Sequence, residues 1–126
     1  MNIVLDASAV LAVIWDEPGC DLVLDSIDDA VMSAVNYAEV LTKISDRGVE
    51  GKSAKALLAG LAVEIIGFDK AQAETVSQLR TQTRHLGLSL GDRACIALAT
   101  SKGWPVLTAD KAWAQLSISV EVKLVR

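Results

Sequence analysis

The chain has 126 residues, 52% hydrophobic and 22% charged, with a net charge of −4. That length suits one compact domain over residues 1–126 and is too short for two, and the composition is too apolar for a disordered segment. The acidic balance excludes a broad basic surface, no apolar run reaches the roughly 20 residues that span a bilayer, and Cys20, Cys95 and His85 lack partners at zinc-ligand spacing.

The chain begins MNIVLDASAVLAVIW. The apolar run 3–5 predicts a short buried strand, and residues 8–15 predict a helix stopped by Pro18 and Gly19. Asp6 interrupts the apolar start and no basic segment precedes it, so a secretory signal is not expected and the expected location is the cytoplasm. Residues 20–27 read as a second helix, and the acids crowded between Asp16 and Asp29 as a solvated face. The stretch AVMS, residues 30–33, predicts a buried strand. In NYAEVLTKISDRG, Tyr37, Val40, Leu41 and Ile44 fall at helical spacing, with Gly48 as the stop.

Residues 52–61 predict a further helix and residues 63–68 a strand. Residues 71–86 form a long polar helix ending at Gly87; Arg80 and Arg84 precede His85, and Arg93 follows it. A short apolar helix over residues 92–102 places Cys95 as a buried reduced thiol. Residues 105–109 and 118–125 supply the last strands, the second with the alternation of a half-exposed edge. No repeat, linker or low-complexity tract interrupts this order. Apolar strands separated by helices predict an α/β fold, a mainly parallel sheet covered on both faces, with ligands beyond the carboxyl ends of the strands.

Four acids stand where that crevice would be, each with a structural alternative. Asp6 follows a strand and could be an N-cap, although Ser8 could cap as well. Glu39 could pair with Lys43 at i, i+4, worth only about 0.3 kcal/mol. Yet Ser33, Asn36 and Glu39 are spaced by three and line one side of the first turns. Asp92 closes SLGD, the Ser-x-x-Asp form of a capping box with Ser89, ahead of the apolar RACIALA. Asp110 ends VLTAD and could cap the segment KAWAQL. Carboxylates gathered at one crevice repel and raise one another's pKa, and a hard divalent cation is the usual compensation. Mg²⁺ needs few carboxylates and leaves room for phosphate oxygens, which suits phosphodiester hydrolysis.

The segments IVLDASAVLAVI, SAVNYAEVLTK, LSLGDRACIALA and VLTAD, in this order from Asn2 to about Leu116, resemble the successive signatures of the PIN-domain family, and within it the VapC-type ribonuclease toxins of toxin–antitoxin modules. The resemblance implies a three-layer α/β/α sandwich around a five-stranded, mainly parallel sheet. It implies an acidic pocket for Mg²⁺ or Mn²⁺ and endonucleolytic cleavage of RNA. The family's acids map onto Asp6, Glu39, Asp92 and Asp110, and its hydroxyl and amide supports onto Ser8, Asn36 and Thr108. Asp6, Asp92 and Asp110 are then the metal ligands, and Glu39 positions or deprotonates the attacking water. Arg93 would either hold a substrate phosphate or pair with a neighbouring acid, and the ion pair is the favoured reading. The expected partners are RNA, a small antitoxin and a second copy of the chain. Ala112 stands where many members carry a further acid.

Two other classes fit less well. A dehalogenase-like phosphatase needs a second Asp where Ser8 stands, and a receiver domain needs paired acids at its first strand, although Lys111 lies near the position of its lysine. A non-catalytic scaffold of the same fold would be marked by loss of a pocket acid, and all four are present.

Overall fold

The computed structural model describes residues 2–126. The elements run β1 (Ile3–Leu5), α1 (Ala7–Ile14), α2 (Cys20–Ser26), β2 (Ala30–Ser33), α3 (Ala34–Asp46), α4 (Gly51–Leu61), β3 (Glu64–Ile66), α5 (Lys70–Thr83), α6 (Leu90–Lys102), β4 (Val106–Thr108) and β5 (Val122–Leu124). Single 3₁₀ turns occupy Ile27–Asp29, Arg84–Leu86 and Lys111–Gln115.

The five strands form one parallel sheet in the order β3-β2-β1-β4-β5. β1, β2 and β4 are buried throughout, as central strands of a sheet covered on both faces must be. Their side chains alternate between two cores. Ile3, Leu5, Met32 and Leu107 pack with α1 to α4, whereas Val4, Val31 and Val106 pack with α5 and α6. The three layers follow from that alternation.

The two largest differences from the expected boundaries have physical reasons. Strand pairing begins at Val122, not at residue 118, because β4 offers only Val106, Leu107 and Thr108 as ladder partners. Ile118 and Val120 still turn inward and pack on the α5–α6 core from a loop. The polar helix stops at Thr83, and residues 84–86 tighten into a 3₁₀ turn that ends at Gly87 in the left-handed conformation. Of the early apolar run, residues 9–12 are core, while Val13, Ile14 and Trp15 are half-buried.

The end of the chain is clasped to the α1–α2 turn. Arg126 Nη1 donates to the carbonyl of Pro18 at 2.9 Å, and Nη2 lies 3.6 Å from Glu17 Oε1. Gly19 has φ +97°, and a Cβ there would overlap the carbonyl oxygen of Val125. Gly19→Ala combines left-handed strain with overpacking and should destabilise the fold by about 2 kcal/mol or more in urea denaturation. Unchanged stability would mean that the clasp is loose in solution.

The strand order reverses between β1 and β4, and Leu5 pairs with Leu107. The residues that follow, Asp6 and Thr108, therefore emerge side by side at the switch-point crevice.

Candidate active site

Asp6 is 4% exposed. It occupies the N-cap position of α1, where its main-chain carbonyl accepts from the N–H groups of Ala9 (3.0 Å) and Val10 (3.4 Å). Its carboxylate makes no capping bond, so the capping explanation accounts for the backbone and not for the charge. Instead, Oδ2 accepts from Ser8 Oγ at 2.6 Å and from Thr108 Oγ1 at 2.9 Å. Those hydroxyls are themselves fixed. Ser8 Oγ accepts from the Ala109 N–H at 2.9 Å, and Thr108 Oγ1 from the Asp110 N–H at 3.1 Å. Ser8 and Thr108 thus lock one oxygen of Asp6, and Oδ1 has no hydrogen bond among the described residues.

Burial pushes the Asp6 carboxyl up from 3.8 to about 6. The two hydroxyl bonds pull it down, and the charges of Asp92 and Glu39 push it further up. The same three acids, after burial itself, raise the thiol of Cys95 well above its ordinary value. Cys95 is fully buried and reduced one turn along α6 from Asp92.

Glu39 reaches the site along α3. Ser33 caps that helix by accepting from the Val35 N–H at 3.2 Å, and Asn36 is fully buried. Asn36 Nδ2 donates to Glu39 Oε1 at 2.8 Å and to the carbonyl of Gly91 at 3.0 Å, tying α3 to the first turn of α6. Glu39 is therefore anchored inward, with no ion pair to Lys43 among the described residues. Its outer side borders an open groove of about 430 Å³ along α3, lined also by Val35, Ala38, Thr42, Lys43 and Asp46.

Asp92 completes a capping box. Its N–H donates to Ser89 Oγ at 3.1 Å, and its Oδ2 accepts from the Ser89 N–H at 3.0 Å. One carboxylate oxygen remains for other work, so structural and chemical roles coexist.

Asp110 differs. It is exposed, its Oδ1 accepts from the Ala112 N–H at 3.0 Å, and it is not among the acids whose charge acts on Asp6. Here the capping explanation holds, and only its backbone is joined to the site through Thr108. Arg93 corrects the sequence expectation of an ion pair. Its Nη1 donates to the carbonyl of Val76 at 3.0 Å, and no ion pair of Arg93 occurs among the described residues. Gly91, which sequence reasoning passed over, lies directly under the carboxylate of Glu39. No local sequence pattern signals it, because the demand for space comes from Glu39 on another helix.

The chain matches the model of the PIN domain over residues 3–118. The chain belongs to the PIN-domain family. This PIN domain is 34% identical over 119 residues to Ribonuclease VapC of Mycolicibacterium smegmatis, covering 87% of this chain and 92% of that protein. In fold it resembles a chain of DNA-bound VapBC from Salmonella typhimurium (TM-score 0.78, 14% identity, 100% of this chain and 99% of that one). It also resembles a chain of a toxin–antitoxin complex from Klebsiella pneumoniae (TM-score 0.76, 18% identity, 99% and 98%). The five-stranded parallel sheet between helices is thus the PIN-like α/β fold.

Does the site suit a divalent cation? The donor chemistry does. Asp6 and Asp92 each present an oxygen with no hydrogen bond among the described residues, Glu39 stands beside them, and the buried Oδ1 of Asn36 has no partner there either. Like-charge repulsion at Asp6 is the condition a cation relieves. The spacing is open, however: among the described residues no three acids stand close enough to form a ready coordination cage. The concavity of about 380 Å³ between α5, α6 and residues 117–119 is lined by uncharged side chains and offers no such donors.

Proposed function

We propose that this PIN domain is a Mg²⁺- or Mn²⁺-dependent endoribonuclease and the toxin of a toxin–antitoxin pair. The observation that carries this reading is Asp6: a buried carboxylate raised by burial and two neighbouring acids, held by hydroxyls and paired with no cationic side chain among the described residues. The identity of 34% with a protein named Ribonuclease VapC supports it.

Asp6 and Asp92 would hold the cation, and Asp110 keeps a second oxygen free to join them. A bound divalent cation supplies charge neutralisation at the phosphate and lowers the pKa of a water molecule. Glu39, held at Oε1 by Asn36, keeps Oε2 to orient the attacking water and take its proton. Water adds to phosphorus, the bond to the 3′ oxygen breaks and that oxygen takes up a proton. The ends are a 5′-phosphate and a 3′-hydroxyl. Ser8 and Thr108 fix the direction of Asp6, and Asn36 that of Glu39. The net charge of −4 confines RNA binding to a local surface, which favours a narrow set of targets.

Leu22, Leu24 and Leu57 are each nearly half exposed on α2 and α4 and suit the apolar face of a small antitoxin or a second copy of the chain. On this reading the place of action is the cytoplasm, where RNA is met. No helix among the described residues is long and apolar enough to cross a membrane.

The test is cleavage of matched RNA and DNA oligonucleotides by the purified chain with Mg²⁺, Mn²⁺ or chelator. RNA cut only with metal is the expected result. The open spacing of the acids favours one alternative, a non-catalytic PIN-like scaffold. Absence of both cleavage and Mn²⁺ binding would decide for it.

A further inference from the structure

Gly91 occupies the second position of α6, between Leu90 and Asp92. Its φ lies outside the left-handed range, so the backbone does not call for glycine. Helix propensity favours alanine there. What the position does demand is space. A Cβ on Gly91 would collide with the Glu39 carboxylate, overlapping Cδ and both oxygens. The three atoms nearest that Cβ all belong to Glu39, and the Gly91 carbonyl is itself gripped by Asn36, which also grips Glu39.

We infer that Gly91 is a positioning residue for Glu39: its missing side chain holds open the place where the Glu39 carboxylate stands beside the first turn of α6. The inference rests on the proposed function for its consequence in catalysis, but not for its geometry. The colliding group is the far end of a flexible side chain, so a methyl at residue 91 displaces Glu39 at little cost to packing. The damage therefore falls on the position of Glu39 and not on the fold. A glycine kept for packing alone would behave in the opposite way.

The experiment compares wild type, Gly91→Ala, Glu39→Asp and the double variant. Four readouts are used: melting temperature in chelator, the ¹H–¹⁵N signal of the Asn36 carboxamide in metal-free protein, Mn²⁺ affinity and RNA cleavage. Gly91→Ala should melt within a few degrees of the wild type, the helix-propensity gain offsetting the disturbed hydrogen bond, while its Asn36 carboxamide signal moves, because the acceptor at 2.8 Å is pushed away. Mn²⁺ affinity and RNA cleavage should each fall about tenfold. Glu39→Asp shortens the side chain by one methylene and makes room for the methyl, so the double variant should return part of the loss of Gly91→Ala. An unmoved Asn36 signal in Gly91→Ala overturns the inference. So does a double variant in which the two losses simply add. If wild type neither binds Mn²⁺ nor cuts RNA, the proposed function fails, while the Asn36 signal still decides whether Gly91 positions Glu39.

Discussion

Asp6→Asn is expected to reduce RNA cleavage by about a thousandfold or more and, at the same time, to stabilise the metal-free protein. The two effects have one cause. At pH 7.5 the native carboxylate is ionised although burial and two neighbouring acids oppose it, holding its pKa at about 6 against 3.8 for an ordinary aspartate. A difference of that size corresponds to about 3 kcal/mol of instability at high pH. Asparagine has the same shape, and its carbonyl can accept from Ser8 and Thr108 where Oδ2 does now. It accepts more weakly than a carboxylate, which returns part of the gain. A net stabilisation of about 1–2 kcal/mol in urea denaturation with chelator is therefore expected. Loss of activity with gain of stability is the mark of a functional residue held in an unfavourable setting. A destabilised variant would mean that the charge of Asp6 is compensated in the free protein. Undiminished cleavage would remove Asp6 from the chemistry.

Much of this was legible in the sequence. Short apolar runs located β1, β2 and β4, with Asp6 and Ser33 at the carboxyl ends of the first two, and SLGD located the start of α6; the run over 105–109 pointed to Asp110, whereas β4 ends at Thr108. The reason is local: a parallel strand buried on both faces and a capping box are properties of a few adjacent residues. What failed to show depended on direction in three dimensions. Arg93 follows Asp92, yet consecutive helical residues do not face one another, and Arg93 turns to the carbonyl of Val76 on α5. Asp110 carries the same strand-end signature as Asp6, but its carboxylate bends back to the Ala112 N–H. The length of β5 was set by its three-residue partner and not by its own alternation. Gly91 has significance only because α3 places Glu39 over it, and no local pattern contains that.

The second large effect is a dependence of stability on pH that is abolished when a cation is supplied. Because the native Asp6 has the higher pKa, the native state takes up a proton before the unfolded chain does, and protonation favours folding. The instability is fully present well above pH 6 and is relieved as pH falls from about 6 towards 3.8, below which both states are protonated. Wild-type protein in chelator should gain about 1.4 kcal/mol from this group between pH 7.5 and pH 5. The difference from Asp6→Asn isolates that contribution, since every other titrating group is common to both. Mn²⁺ should stabilise the wild type at pH 7.5 by about 2.7 kcal/mol at a hundred times its dissociation constant. At pH 5, where a proton occupies Asp6 in about nine molecules of ten, its affinity should fall about tenfold. The separation between melting curves with Mn²⁺ and with chelator should thus shrink to about half by pH 5, and the curves of Asp6→Asn should nearly coincide throughout. A Mn²⁺ shift of equal size at both pH values would place the cation away from Asp6. The carboxylate at the buried end of β1 would then lack its compensating charge, since proton and cation would no longer be competing for the same oxygen.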